Sequence, residues 1–548
     1  MPLGGLGRIG GNLMALETAE DLLVIDCGVL FPWELHPGVD CLIPDITYLL
    51  ERREKVRGIV LTHGHEDHIG GLPYVLPQLD VPVFASSFTR KLVEAKLSEF
   101  PDVQCTMHTF ADGEPFWVGK LRILPIPVTH SIPEAVALAI ETPAGRVVHS
   151  GDFKIDTSPL DGRHFDSDML RRLGDAGVAL LLSDSTNAAK PGHTWSEAAL
   201  QAPLQDLIEA APQRVFVTTF ASNIYRLQTV VQASEHANRF VLPLGRSIQQ
   251  NLQIARDSGY LRIGPETLTT PGDAAALPRH RLTVLLSGSQ GERNSALVRM
   301  AAGRHPQLSI EPDDLVLFSS RKIPGNERRI GALMNDLARL GADIVDDRSA
   351  RIHSSGHAFN EEQATFLRLC RPRVFIPVHG EYRHLQSHAL LAESIESPPE
   401  NTFVVENGQP VEMVAESGEL HASLGAAVPA GLSYVEGSGI GEVDDVMLRE
   451  RRILSSAGVV TCSICLSRSG ELLARPKLNT LGVAHLEADP ALLEQARDAV
   501  TAAIARLDTP VAAEQANEAV RLAIRRFFRK ALGAKPMIMP MTTVTELP

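Results

Sequence analysis

Residues 1 to about 190 read as short apolar strands punctuated by glycine and proline, Gly58-Ile59-Val60-Leu61 and Arg146-Val147-Val148 among them, with helical stretches near 86–99 and 165–174. Short strands with interposed helices predict a two-sheet α/β layer fold. Then the rhythm changes. From Arg214-Val215-Phe216-Val217-Thr218-Thr219-Phe220 through a helix-like segment to Phe240-Val241-Leu242-Pro243, and on to Thr283-Val284-Leu285-Leu286-Ser287 and Leu315-Val316-Leu317-Phe318, strands alternate with helices. That alternation predicts a doubly wound parallel sheet. Past residue 430, the glycine-spaced stretch from Gly431 to Glu442 reads as a connector. Leu493, Ala496, Val500, Ile504 and Leu507 then recur at helical spacing, as do Val520, Ile524 and Phe528, and the segments 535–540 and 542–544 predict closing strands.

Composition adds bounds. A chain of 548 residues predicts three or four domains with ample buried cores. The start, Met1-Pro2-Leu3-Gly4-Gly5, lacks the basic and apolar regions of a signal peptide, and no later run approaches about 18 apolar residues. A cytoplasmic location and no membrane contact are therefore expected. The cysteines at 27, 41, 105, 370, 462 and 465 are too scattered for a disulfide framework and suit a reducing compartment. The one close pair, Cys462 and Cys465, lies in flanks that read as a strand. A net charge of −14 disfavours nonspecific coating of a polyanion, yet an acidic surface can coexist with a basic channel. Arg226, Arg246, Arg321 and Lys322 are candidate channel residues.

The chemistry is concentrated in Thr62-His63-Gly64-His65-Glu66-Asp67-His68-Ile69-Gly70-Gly71, directly after the apolar run 58–61. In extended backbone, alternate side chains share a face, so His63 and His65 point the same way, and the turn that follows lets Asp67 and His68 face a second ion. Imidazoles mixed with carboxylates suit a borderline cation such as zinc. Six positions cannot encircle two ions. Further candidates sit in polar turns at the ends of apolar segments: His130, Asp152 and His379. Asp184, in Leu182-Ser183-Asp184-Ser185-Thr186-Asn187, suits either a capped turn or a site.

These motifs, with Asp26-Cys27-Gly28-Val29-Leu30-Phe31-Pro32, Pro44-Asp45-Ile46 and Ser354-Ser355-Gly356-His357-Ala358, resemble the metallo-β-lactamase superfamily in its β-CASP branch, and within it the bacterial ribonuclease J family. The resemblance covers nearly the whole chain. It implies an αββα sandwich with an inserted β-CASP doubly wound α/β domain and a small C-terminal α/β domain. The expected boundaries are 1–195 and 356–430 for the two parts of the sandwich, 196–355 for the insert, 431–455 for a linker and 456–548 for the last domain. Carried over by position, His63, His65 and His130 would bind one zinc, Asp67, His68 and His379 the other, and Asp152 would bridge them, with manganese or magnesium as substitutes. Asp184 would orient a ligand or the bridging water, and His357 would steady the scissile phosphate or protonate the departing 3′ oxygen. Ser222 and Asn223, at a strand-to-helix junction that also suits an N-cap, together with Ser355, Gly356, His357 and Ala358 would hold a 5′ monophosphate or a backbone phosphate.

The resemblance implies a metal-dependent ribonuclease with 5′–3′ exonuclease and endonuclease activity on single-stranded RNA, acting in mRNA decay and rRNA maturation. It further implies a homodimer or homotetramer and RNA degradosome partners. Hydrolysis of a small ester, thioester or lactam and a catalytically silent RNA-binding scaffold are the alternatives, and intact ligand positions weigh against the second. The basic positions Arg521, Arg525, Arg526, Arg529 and Lys530 read as a solvated face or an RNA contact. Gly288-Ser289-Gln290-Gly291-Glu292 lacks the ending of a nucleotide loop, so no ATP is expected. Arg8 and Gly11 depart from the family pattern, and the chain begins almost inside its first expected strand, as a misassigned start with a few residues missing would leave it.

Overall fold

The computed structural model describes residues 1–33, 35–323, 325–417, 419–437, 439–483, 490–508 and 510–545. The chain separates into two compact units, Met1–Leu30 with Leu42–Ser433, and Phe31–Cys41 with Tyr434–Pro548.

In the first unit, a six-stranded sheet runs from Pro2–Gly4 through Leu13–Glu17, Leu22–Ile25, Val56–Val60 and Val83–Ala85 to Met107–Thr109. A seven-stranded sheet orders Asn401–Thr402, Pro372–Val378, Val178–Asp184, Gly145–His149, Val136–Thr142, Leu121–Pro127 and Phe116–Val118. Strand side chains alternate faces, and the cores follow that alternation. Leu23, Ile25 and Val60 of one sheet share a core with Leu138, Ile140, Leu180 and Ile376 of the other. The intervening Ala137, Ala139, Leu181 and Phe375 pack outward against Leu170, Phe366 and Leu367 of the helices Ser167–Ala176 and Asn360–Cys370. Leu22, Val24 and Ile59 do the same toward Leu72, Val75 and Leu76 of the helix Leu72–Leu79. The result is the αββα sandwich.

Strand Val178–Asp184 pairs in parallel with Pro372–Val378, Asp184 opposite Val378, although a complete domain lies between them in sequence. That domain is a five-stranded parallel sheet ordered Phe240–Leu244, Leu282–Leu286, Val215–Thr218, Leu315–Phe318, Asp343–Val345. Helices cover both faces, Ile224–His236 and Arg246–Asp257 on one, Ala296–Ala301 and Glu327–Arg339 on the other.

Arg226 corrects the sequence reading. Placed among the channel candidates, it is fully buried: its guanidinium meets the buried Glu197 carboxylate at 3.1 Å and donates to Ser319 Oγ at 2.6 Å and to the Ile352 carbonyl at 2.8 Å. It ties the helix Ile224–His236 to the segments at Glu197, Ser319 and Ile352 and cannot face a ligand. Arg246 stays exposed beside Glu99, Arg321 donates to Asn187 Oδ1, and Lys322 pairs with Asp346.

In the second unit, Val459–Leu466 lies between Lys477–Leu481, antiparallel, and Met537–Val544, parallel. Val460, Cys462, Ile464 and Leu466 alternate into a core with Val500, Ile504, Val520, Ile524 and Phe528 of the helices Pro490–Ile504 and Ala513–Leu532. Cys462 and Cys465 thus lie three apart on one strand, on opposite faces, and read as sheet positions. The closing segments form one strand, which tolerates Pro540 because it is at the sheet edge. Within 431–455, read as a linker, Leu432–Glu436 pairs with Gly439–Ile440, and the helix Asp445–Ala457 starts on an Asp444 cap that accepts from Met447 N at 2.7 Å.

His388, on the helix Tyr382–Ser394, is sealed against Phe375, with Nδ1 3.0 Å from Ser185 Oγ and Nε2 buried without a hydrogen-bond partner among the described residues. Burial pushes its pKa down to about 3. The folded protein refuses a proton that the unfolded chain accepts near pH 6.5, so His388 costs nothing above that pH and stability falls as the pH drops from 6.5 toward 3. At pH 5 the loss is about 2 kcal/mol relative to pH 7.5. His388→Gln should shrink the difference between denaturant midpoints at those two pH values by that amount. An unchanged difference would remove His388 as a source of acid sensitivity.

Candidate metal centre

The strand Val56–Val60 delivers Thr62–His68 into a loop that Asp26 organises. Asp26, buried and at φ +61°, accepts from Thr62 N at 2.7 Å, from Thr62 Oγ1 at 2.8 Å and from His68 Nδ1 at 2.8 Å. Gly28 permits the fold of this loop, because a Cβ there would lie 1.6 Å from the Asp67 carbonyl oxygen. The other contributors arrive from the second sheet. His130 follows Leu121–Pro127, Asp152 follows Gly145–His149, Asp184 ends Val178–Asp184, and His379 follows Pro372–Val378 at φ +54°.

The structure brings these side chains together in overlapping sets: His63, His65, His130 and Asp152; Asp67, His68, Asp152 and His379; and Asp152, Asp184, His357 and His379, the ligand atoms in each within 4.8 Å of one another. Asp152 is common to all. Its Oδ2 lies 3.6 Å from His63 Nε2, 3.1 Å from His68 Nε2, 3.9 Å from His130 Nε2, 3.5 Å from His379 Nε2 and 3.8 Å from His357 Nδ1. His63 Nε2 and His130 Nε2 each stand 3.1 Å from His65 Nδ1.

Hydrogen-bond partners on the far side of each ring assign the tautomers. Thr62 Oγ1 donates to Asp26, so at 3.1 Å it accepts from His63 Nδ1. Thr186 Oγ1 donates to Asp184 Oδ1 at 2.7 Å and accepts from His379 Nδ1 at 2.6 Å. His68 Nδ1 donates to Asp26, and His130 Nδ1 donates to the Gly356 carbonyl at 2.7 Å. Each of these rings therefore turns Nε2 inward, the atom that can ligate a cation once it is free of a proton. His65 Nδ1, 3.1 Å from both His63 Nε2 and His130 Nε2, can satisfy at most one of them with a hydrogen bond, so a nitrogen lone pair is left facing its neighbours unless a cation sits among them. Tetrahedral zinc with Zn–N near 2.0–2.1 Å spaces its nitrogens about 3.3 Å apart, so the donor set fits such an ion.

Electrostatics divide the rings in the same way. Burial, reinforced by neighbouring imidazoles, holds His63 and His130 well below the ordinary histidine pKa, and burial lowers His65 to about 4 against the pull of Asp67 and Asp152. For His68 and His379, burial is outweighed by surrounding carboxylates, Asp152 first, and both are raised. Burial would raise Asp67, Asp152 and Asp184 too, but the adjacent imidazoles hold all of them below the carboxylate range. The concentration of negative charge on buried oxygens is what divalent cations neutralise.

Around this centre, Asp184 accepts from His357 Nδ1 at 2.8 Å and lies 3.3 Å from His379 Nδ1. The mouth is the side where Asp67 and His357 keep side-chain exposures of 26% and 22%. The backbone of 355–358 is largely spoken for: His357 N donates to Ser355 Oγ, Ala358 N donates to the Phe153 carbonyl, and a Cβ on Gly356 would meet the His130 ring at 2.6 Å. Ser222 is half-buried at the start of Ile224–His236, and Asn223 caps that helix by accepting from Arg226 N at 3.0 Å. Sequence reasoning missed Thr62, Thr186 and the supporting role of Asp26. Only the Asp26-Cys27-Gly28 turn carried a signal.

Residues 36–217 match the beta-lactamase superfamily domain, 212–337 the beta-CASP domain of ribonuclease J, 346–405 the Zn-dependent metallo-hydrolase RNA specificity domain, and 446–545 the ribonuclease J C-terminal domain. Ribonuclease J of Thermus thermophilus is 38% identical over 99% of this chain and 94% of that protein. Ribonuclease J of Mycobacterium tuberculosis H37Rv is 39% identical over 100% and 96%, and that of Helicobacter pylori 26695 is 37% identical over 97% and 77%. A crystal structure of a protein of unknown function from Enterococcus faecalis V583 superposes with a TM-score of 0.52 at 16% identity, covering 77% of this chain and 98% of that one, a likeness of fold. With this identity along its whole length and with ribonuclease J domain models matching residues 212–337 and 446–545, the chain belongs to the ribonuclease J family.

Proposed function

We propose that this protein is a metal-dependent ribonuclease that removes nucleotides from the 5′ end of single-stranded RNA and also cuts internally, in mRNA decay and rRNA maturation. The observation that carries this reading is the inward set of imidazole Nε2 atoms gathered around one shared carboxylate oxygen of Asp152. His63, His65 and His130 would hold one cation, Asp67, His68 and His379 a second, and Asp152 both, with two zinc ions per subunit favoured by the imidazole-rich donors and manganese or magnesium as replacements. When bound, a pair of divalent cations supplies a water of near-neutral pKa and positive charge against an attacked phosphodiester.

The chain's own groups do the remainder. Asp26 and Thr186 fix ring orientation through the far nitrogens. Asp184 holds the His357 ring by Nδ1, leaving Nε2 to face the mouth, where it can steady a phosphate or pass a proton to the departing 3′ oxygen. With the His357 and Ala358 amides and the Asn223 cap engaged, the 5′ phosphate reading narrows to the Ser222 and Ser355 hydroxyls with the His357 ring. Phosphate contacts position a strand without identifying it, so sequence preference should be weak. Self-association as a homodimer or homotetramer, and degradosome partners, belong to the same reading.

The test uses end-labelled RNA with a 5′ monophosphate or triphosphate, with and without chelator. Mononucleotides should leave the monophosphorylated RNA faster, and chelator or His65→Ala should stop release, with metal content falling in parallel. Equal rates on both ends would discard the terminal-phosphate pocket, and intact RNA with metal-replete protein would discard the ribonuclease.

A further inference from the structure

Loop 187–196 leaves the sandwich and lies stitched along the segment 354–362. Asn187 Nδ2 donates to Ser355 Oγ at 2.9 Å and to the His357 carbonyl at 3.0 Å, and the Lys190 carbonyl accepts from Asn360 N at 3.0 Å. Thr194 Oγ1 donates to the His357 carbonyl at 3.1 Å, and the Glu362 carboxylate accepts from Thr194 N at 2.7 Å. The Trp195 carbonyl accepts from Ser354 Oγ and, at 3.2 Å, from Lys154 Nζ, a buried ammonium two residues beyond Asp152. Every neighbour that fixes the Trp195 backbone therefore belongs to the segments that carry His357 and Asp152. The Trp195 Cα is one residue, ~3.8 Å of backbone, from a side chain bonded to His357.

The indole itself is not packed away. Trp195 is 51% exposed, and the Arg351 guanidinium lies 3.7 Å from its ring centroid. The cation lies over one face of the ring, and half of the residue's surface stays open to solvent. A large aromatic surface left open on a rigid loop beside a catalytic mouth costs hydration without adding to the core. Arg351 holds the ring by a cation–π contact and adds positive charge. The same loop presents Lys190, which has Arg321 as a charged neighbour and stands 5.0 Å from the Phe359 ring centroid.

Resting on the ribonuclease reading above, we infer that Trp195 is a base-stacking platform: the exposed surface of its indole, steadied by Arg351, receives one nucleobase of single-stranded RNA at the rim of the centre. The contact is sequence-tolerant, since every base has a π face. Such a stack contributes about 1–3 kcal/mol, or roughly 5- to 150-fold in affinity.

The chain has tryptophans only at 33, 117 and 195, which makes the inference directly readable. In full-length protein carrying Trp33→Phe and Trp117→Phe, a short single-stranded RNA with hydrolysis-resistant phosphorothioate linkages should quench the remaining fluorescence. Trp195→Ala should weaken binding of that RNA by roughly 5- to 150-fold with an unchanged melting temperature, while Trp195→Phe retains most of the affinity. A single abasic position in the RNA should reproduce the loss in wild type and add nothing in Trp195→Ala. Wild-type affinity in Trp195→Ala, or tight binding without quenching, overturns the platform while leaving the ribonuclease reading standing. Wild-type protein that binds no RNA overturns both.

Discussion

Asp152→Asn should reduce RNA cleavage by about 10³-fold or more, because in the proposed reading several kcal/mol of transition-state charge stabilisation would depend on a pair of cations that this carboxylate would share, at about 1.4 kcal/mol per tenfold in rate. Asp152 Oδ2 lies within 3.9 Å of imidazole nitrogens from both sets. Asp67 pairs with His68 and His379, both of the second set. The expected signature is joint loss of bound metal and of single-turnover cleavage, with a thermal transition still present because the strands that carry the site are packed independently of it. Full metal occupancy together with wild-type cleavage would show that the shared position is not needed.

The second large effect is on stability. Glu197→Ala leaves the fully buried Arg226 guanidinium with only neutral acceptors, and an uncompensated buried charge typically destabilises by about 3–5 kcal/mol. Arg226 also holds the Ser319 hydroxyl and the Ile352 carbonyl, so the loss should be concentrated where the segments at Glu197, Ser319 and Ile352 meet the helix Ile224–His236. Denaturant unfolding should show a lowered midpoint, and hydrogen exchange should speed up around Ser319 and Ile352. If Glu197→Ala unfolds like wild type, the pair is not a fastening.

Much of this could be read from the chain because metal chemistry is local where it begins. His63, His65, Asp67 and His68 lie within a few positions of one another, and His130, Asp152 and His379 each follow an apolar run that becomes a strand. The five-stranded domain was legible for the same reason, since strand and helix periods alternate over a hundred residues. Tautomer control was not. Thr186 reaches a ring that is 193 positions away, and neither residue has a pattern that announces the other. Arg226 misled because an arginine near a polar turn ordinarily faces water, while its partner is 29 residues upstream and the remaining acceptors come from later strands and loops. Glycine spacing concealed the helix Asp445–Ala457, whose start is set by the Asp444 side chain.

The order of the ligands along the chain has a bearing on biosynthesis. His63 through Asp152 emerge early, but His379 follows the entire inserted domain, and its strand Pro372–Val378 is also the parallel partner that Val178–Asp184 awaits. At roughly 5–20 residues per second, translation from Asp152 to His379 takes on the order of tens of seconds. On the proposed ligand set, a nascent polypeptide would remain chemically unarmed while still tethered to the ribosome and to the message that encodes it, and would acquire its last imidazole only after the intervening domain has been made.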